Sequence, residues 1–293
     1  VSGIGRARPW VIPVVVVIVA GVLAGVVALA MWDGTRASRT GPAPGGRGQA
    51  GSGAGAGVGV GAGAGIVRVD PGLTLIAMLS RDVPRYAAPG GARAGTVPGS
   101  WQGAPASLPV IDQRPGWLRV RLATRPKRPG EWAEPPVAEG DRLVQRPGGD
   151  SAWIVRSDAV LVTSSYRIVI DTSRHRLQLY DRGQQVMDAP AGVGTDAFPT
   201  PTGRYFLALF AAPPSPDYGA FVVVTSAHSD TTTDWEASGD AMVAIQGPLG
   251  GDAEIGSSGA QVSRGCIRLH EPDLERLRIV PAGSPIDIVA GDT

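Results

Sequence analysis

Residues 11–65 have no means of building a water-soluble core, and this divides the chain before any other feature is considered. Residues 11–31 contain no charged side chain. At ~1.5 Å rise per residue, a helix of this length spans about the ~30 Å of a bilayer interior. Trp10 and Trp32 bracket the run, where amphipathic rings favour the membrane interface. Arg6 and Arg8 precede it, so the positive-inside tendency leaves residues 1–10 in the cytoplasm and everything later outside. Ala28-Leu29-Ala30 also looks like a processing site. A secretory apolar core is usually only about 7–15 residues long, and the greater length here favours an uncleaved single-pass anchor in a bacterial cell membrane. Residues 32–66 follow as a linker, with residues 51–65 almost entirely Gly and other small residues. A coil of this kind reaches about 30 Å and tethers whatever follows.

The remainder is long enough for two folded domains. A net charge of +1 gives no reason to expect nucleic acid. The single cysteine, Cys266, rules out an internal disulfide framework and a multi-cysteine zinc site. His175, His228 and His270 show no metal-ligand spacing, so no metal is expected.

Residues 67–163 read as short alternating runs broken by Gly, Pro and Asp, the grammar of strands and turns. In Pro115-Gly116-Trp117-Leu118-Arg119-Val120-Arg121-Leu122, the residues Leu118, Val120 and Leu122 fall on one face. This region looks like a bacterial SH3-like barrel, through GWLRVRL and AWIVRSD. Residues 125–150 are expected to form a long loop. Trp101 and Trp132 are expected to close over a small core, with ligand contact as the other reading.

Residues 164–293 continue in strand grammar, with the segments 166–171 and 176–181 alternating around a turn. Pro272 and the acidic residues of Glu271-Pro272-Asp273-Leu274-Glu275 suit the first turn of a helix. Just ahead lies Ser263-Arg264-Gly265-Cys266-Ile267-Arg268-Leu269. A lone cysteine is often a small buried hydrophobe. Two flanking guanidinium groups argue instead for a reactive thiol whose thiolate is favoured.

That heptapeptide resembles the nucleophile signature of the L,D-transpeptidases, the YkuD-like catalytic domain. Gly192-Val193-Gly194-Thr195, the stretch Phe198-Pro199-Thr200-Pro201-Thr202-Gly203-Arg204-Tyr205, and Ile255-Gly256 resemble further family elements in the same order. The resemblance covers about residues 164–291. It implies a mainly β fold, a β-sandwich with a short helix behind the nucleophile, preceded here by the SH3-like barrel, the linker and the transmembrane helix. It also implies a peptidoglycan acyltransferase of cell-wall biogenesis. Cys266 would be acylated by a tetrapeptide stem and would pass the acyl group to an acceptor amine, giving 3→3 cross-links. Carbapenem β-lactams are implied as acylating probes. By analogy Gly265 and Cys266 offer oxyanion N–H groups. Arg268 would hold a stem carboxylate, the alternative being a salt bridge to Glu271 or Asp273. Ser263, Arg264 and Gly247 join it as substrate-contacting candidates.

The chain departs from the family at the base. The run Ala241-Met242-Val243-Ala244-Ile245 ends in Gln246-Gly247 where the pattern has His-Gly. A glutamine amide orients by hydrogen bonding but takes no proton. Two readings follow: an enzyme that works without the usual base, or a tethered peptidoglycan-binding pseudoenzyme. His228 is the candidate replacement base, a loop position being the plainer reading.

Overall fold

The computed structural model describes residues 66–124, 137–139, 142–144, 151–232 and 241–291. The expected cytoplasmic segment 1–10, membrane span 11–31, nearly all of the linker 32–66, and Trp132 lie outside these residues. Among the described residues no helix is long and apolar enough to cross a membrane. The chain is mainly β, with a few short helices.

Eleven strands come first: β1 Thr74–Met78, β2 Val83–Tyr86, β3 Arg93–Val97, β4 Ser100–Trp101, β5 Ala104–Pro105, β6 Ser107–Arg114, β7 Trp117–Arg121, β8 Val137–Glu139, β9 Arg142–Val144, β10 Ser151–Val155 and β11 Val160–Ser164. Seven form one sheet in the order β11-β1-β6-β7-β10-β2-β3, antiparallel throughout. Leu118, Val120 and Leu122 are all buried in its core, as alternation requires when one sheet face meets apolar packing. β4 and β5 form a separate small hairpin. β8 and β9 pair within the expected loop 125–150, which therefore contains a two-stranded ribbon.

The second half comprises β12 Tyr166–Asp171, β13 Arg176–Asp181, β14 Gln184–Pro190, β15 Gly192–Gly194, β16 Gly203–Ala211, β17 Val222–His228, β18 Met242–Gln246, α1 Asp252–Ile255, β19 Ala260–Ser263, β20 Ile267–Arg268, α2 Glu271–Glu275 and β21 Pro285–Val289. The strands hydrogen-bond in the order β14-β13-β12-β21-β16-β17-β18-β20-β15-β19. Both wings share one core. Ile168, Ile170, Leu177 and Leu179 from one wing join Val223, Ile245 and Ile267 from the other, with Leu274 of α2.

β16 belongs to two cores at once. Successive side chains of a strand point to opposite faces, so Leu207 enters the core just described while Phe206 and Ala208 enter the core of the N-terminal sheet. There Phe206 is 1% exposed and clusters with Leu79, Val83, Leu118 and Ile154. Polar contacts reinforce the junction. An Arg121 guanidinium N–H donates to the Arg204 carbonyl at 2.6 Å, and the Ser164 and Ser284 hydroxyls pair at 2.6 Å. Gly283, at φ +90°, lies so close to Ile76 that a Cβ would come within 2.6 Å of Ile76 Cγ2. The N-terminal sheet is therefore fixed onto the second sheet rather than hung beside it.

Candidate active site

Cys266 lies in the short loop between β19 and β20. β20 runs parallel to β18, with Ile245 opposite Ile267 and Gln246 opposite Arg268, and the Leu269 N–H donates to the Gln246 carbonyl at 2.9 Å. Residues distant in sequence thus become ladder neighbours, and Gln246 comes to the end of the strand beside the thiol. Its side chain is buried, and both Gln246 and Cys266 line a cavity of about 930 Å³.

The loop's shape follows from its own hydroxyls. Ser263 Oγ donates to the Cys266 carbonyl at 2.5 Å and accepts the Gly265 N–H at 3.1 Å. Thr200 Oγ1 donates to the Gly265 carbonyl at 2.9 Å and accepts the Gly194 N–H at 2.8 Å. Gly265 sits at φ +108°, a conformation that suits glycine. Gly194 has no room for a side chain, since a Cβ would fall 2.2 Å from the Phe198 carbonyl oxygen.

Several expectations change here. Ser263 was a substrate-contact candidate, yet its hydroxyl is committed to holding the loop. The Gly265 N–H already has a partner in Ser263, which leaves the Cys266 N–H as the oxyanion candidate. Gly247 acts through packing: its N–H donates to the Tyr218 carbonyl at 2.7 Å, and a Cβ would lie 2.8 Å from the Gly219 nitrogen. Arg264 is exposed at the cavity rim, with its guanidinium 5.6 Å from the centre of the Phe198 ring. Arg268 lines the cavity, and its buried Nε has no hydrogen-bond partner among the described residues. The alternative salt bridges do not form. Glu271 accepts the Ala220 N–H at 2.8 Å, and Asp273 faces Arg276 at 3.9 Å.

The thiol is half-buried, and its setting weighs against the thiolate that the flanking arginines suggest. Burial raises the Cys266 pKa above its ordinary value, outweighing a backbone hydrogen bond from Ala244 and the charge of Arg268. Desolvation penalises the charged form, and Arg264 points to Phe198 instead of compensating. Alkylation of Cys266 by iodoacetamide should therefore keep accelerating as pH rises past 9.0. A rate that levels off below pH 8 would show a poised thiolate and contradict this account.

His228 is not brought to the thiol. It pairs with Met242 at the far end of β18, four residues from Gln246, or about 13 Å at ~3.3 Å per residue. Its Nε2–H donates to the Ala123 carbonyl at 2.9 Å, so the ring belongs to the junction with the N-terminal sheet.

His270 has a clearer role than its sequence position suggested. It occupies the N-cap position of α2 without a side-chain cap bond. Its ring instead clamps α1, with Nε2 bonded to the Gly256 carbonyl at 2.9 Å and Nδ1 to Asp252 Oδ1 at 2.6 Å. These two acceptors, the Gly256 carbonyl first, raise its pKa above 6.5. The stabilisation is complete below the unfolded value and disappears as pH rises through the folded one. His270→Gln should thus lower the melting temperature most at acidic pH, with a gap from wild type that closes on going alkaline. A gap constant from pH 5 to 9 would remove the clamp.

Thr200 and Gln102 complete the site's surroundings without having been assigned a role in advance, while Trp101 packs against the small N-terminal core as expected and also lines the cavity. Thr200 stood inside a recognised motif, so its position was visible although its two bonds were not. Trp101 and Gln102 line the same cavity as Cys266 from the N-terminal sheet's side of the molecule. Among the described residues no group of three or more His, Cys, Asp or Glu side chains could hold a metal ion.

Residues 165–288 match the family model of YkuD, the L,D-transpeptidase catalytic domain. A Bacillus licheniformis protein bearing the name L,D-transpeptidase YkuD is 28% identical over 174 residues, spanning 55% of this chain and 95% of its own. Among solved structures, an L,D-transpeptidase from Mycobacterium smegmatis is 17% identical with a TM-score of 0.34, covering 59% of this chain and 91% of its own. L,D-transpeptidase 3 from Mycobacterium tuberculosis, in complex with a faropenem-derived adduct, is 15% identical with a TM-score of 0.34, covering 59% and 90%. The family model and the Bacillus relative together support a YkuD-type L,D-transpeptidase catalytic domain in this part of the chain.

Proposed function

We propose that the protein is a peptidoglycan L,D-transpeptidase that uses Cys266 as nucleophile without the usual basic histidine. The observation that carries this reading is the convergence of Cys266, Gln246 and Arg268 on one cavity from adjacent parallel strands. The sulfur attacks the carbonyl of the third residue of a donor tetrapeptide, and the bond to the terminal residue's amine breaks. The amine leaves with the proton that the thiol gave up, and a thioester remains. An acceptor amine then attacks the thioester, the C–S bond breaks, and the thiol regains a proton from the incoming amine. The Cys266 N–H faces the developing oxyanion. Arg268, whose Nε has no partner among the described residues, receives a stem carboxylate through its planar fork. Gln246 orients the carbonyl or the thiol, and no described hydrogen bond diverts its amide. The membrane span 11–31 and the linker hold the domains on the extracytoplasmic side. The N-terminal sheet, read as SH3-like, contributes positioning.

A second reading, a pseudoenzyme that binds stems without turnover, draws on Gln246 and on the thiol's raised pKa. Intact mass after incubation with a carbapenem, beside Cys266→Ala, separates the two. An adduct that requires Cys266 supports the enzyme, with turnover on tetrapeptide stems as the next step. A folded wild type that stays unmodified sinks it.

A further inference from the structure

The peptide group that joins Gly265 to Cys266 is held from behind. Its carbonyl accepts the Thr200 hydroxyl at 2.9 Å, and Thr200 Oγ1 in turn accepts the Gly194 N–H at 2.8 Å. Thr200 is 6% exposed and stands outside the cavity lining, to which Gly265 and Cys266 both belong. The Gly265 carbonyl therefore points into the protein and away from the cavity. No peptide bond among the described residues is cis, and in a planar trans peptide the N–H points opposite to the C=O. The Cys266 N–H is thereby aimed at the cavity side, and no hydrogen bond among the described residues takes it up. The following carbonyl, that of Cys266 itself, is tied to Ser263 Oγ. Both peptide groups flanking the nucleophile are thus fixed by a buried hydroxyl.

We infer that Thr200 is a positioning residue for acyl transfer: its hydroxyl aims and polarises the peptide group whose N–H, that of Cys266, receives the oxyanion. This rests on the transpeptidase reading above and assigns the alignment of its oxyanion donor to one side chain. As the sulfur bonds to a carbonyl carbon, the π pair moves onto oxygen, and a donor already aimed at that oxygen stabilises it without reorganising. A hydrogen bond at the carbonyl end of a peptide group also draws electron density from its nitrogen and strengthens the N–H as a donor. The bonds from Gly194 through Thr200 to Gly265 run in one direction, so each polarises the next. Without the hydroxyl, the Gly194 N–H and the Gly265 carbonyl would lose their buried partner, which is costly. The peptide plane would then be free to turn toward other partners and take the Cys266 N–H with it.

The test uses the full-length chain and two reactions of the same sulfur. In carbapenem acylation the sulfur bonds to the lactam carbonyl carbon, the ring C–N bond breaks, and the ring nitrogen takes the proton that the thiol gave up. That path passes through an oxyanion. Iodoacetamide alkylation displaces iodide at a saturated carbon and forms none. Thr200→Val should slow acylation about tenfold, less than the ~10²–10³ of deleting a donor outright, and should leave the alkylation rate and its pH profile unchanged. Thr200→Ser, which keeps the hydroxyl, should acylate close to the wild-type rate. Should Thr200→Val not fold, the wild type supplies a second measurement. Cys266 is the only cysteine, so labelling with ¹⁵N-cysteine gives one amide signal, and its proton should move downfield on acylation as the acyl oxygen takes up that N–H. Acylation unchanged in Thr200→Val, acylation and alkylation slowed equally, no rescue by Thr200→Ser, or an amide signal that stays in place overturns the positioning role and leaves the transpeptidase reading standing. A folded wild type that alkylates but is never acylated overturns both.

Discussion

Gln246→His should raise the rate of Cys266 acylation at neutral pH by about 10²-fold, the lower end of what a positioned general base contributes. The position is right for it. Gln246 ends β18, lies in register with Arg268 across a parallel pair, and lines the same cavity as the thiol. Histidine is close to glutamine in length and needs no new space along the strand. The raised pKa of Cys266 leaves the wild type with little thiolate near pH 7, so proton removal is the step with most to gain. The pH profile should change shape as well. Wild-type acylation climbs steadily into alkali, whereas the variant's rate should level off near the histidine's own titration. Mass spectrometry of carbapenem acylation over time, from pH 6 to 10, reads both. An unchanged rate and profile would mean that this side chain does not reach the sulfur.

Phe206→Ala should destabilise the full chain by about 3–5 kcal/mol, the usual cost of emptying a buried phenylalanine site. The size of the loss matters less than its distribution. Phe206 grows from the second sheet yet fills the first sheet's core, so its removal should weaken both halves in denaturant titrations. The exposed Ile111, 44% accessible on β6, serves as control, and its alanine variant should stay within about 0.5 kcal/mol. A Phe206→Ala loss below about 1 kcal/mol would mean that the two cores are not joined through this ring.

The sequence spoke clearly where local pattern and tertiary role agree. β12 and β13 alternate cleanly, and both sit with one face on the core. The nucleophile segment and the missing histidine were legible because they are fixed strings at one end of the chain. β2 and β6 were hidden, since Pro84 and Pro109 interrupt their pattern. Phe206 looked like any strand residue, because nothing local reveals which of two cores a side chain will enter. The thiol's surroundings were illegible for a related reason. Adjacent arginines are visible in sequence, while the desolvation that outweighs Arg268 arises from tertiary packing that no local pattern shows. His228 failed as a base through register: one strand's length separates it from the site.

The Thr200 hydroxyl bridges Gly194 and Gly265, and Thr200 itself stands 65 residues from Gly265. Such contacts wait for the intervening chain to be arranged, because closing a long loop costs entropy before any bond rewards it. The nucleophile's surroundings are therefore expected to form late in folding. Thr200→Val should speed unfolding while leaving the folding rate nearly unchanged, a φ-value near zero in a stopped-flow chevron. On this expectation the nucleophile loop is completed only after the strands that carry it have paired.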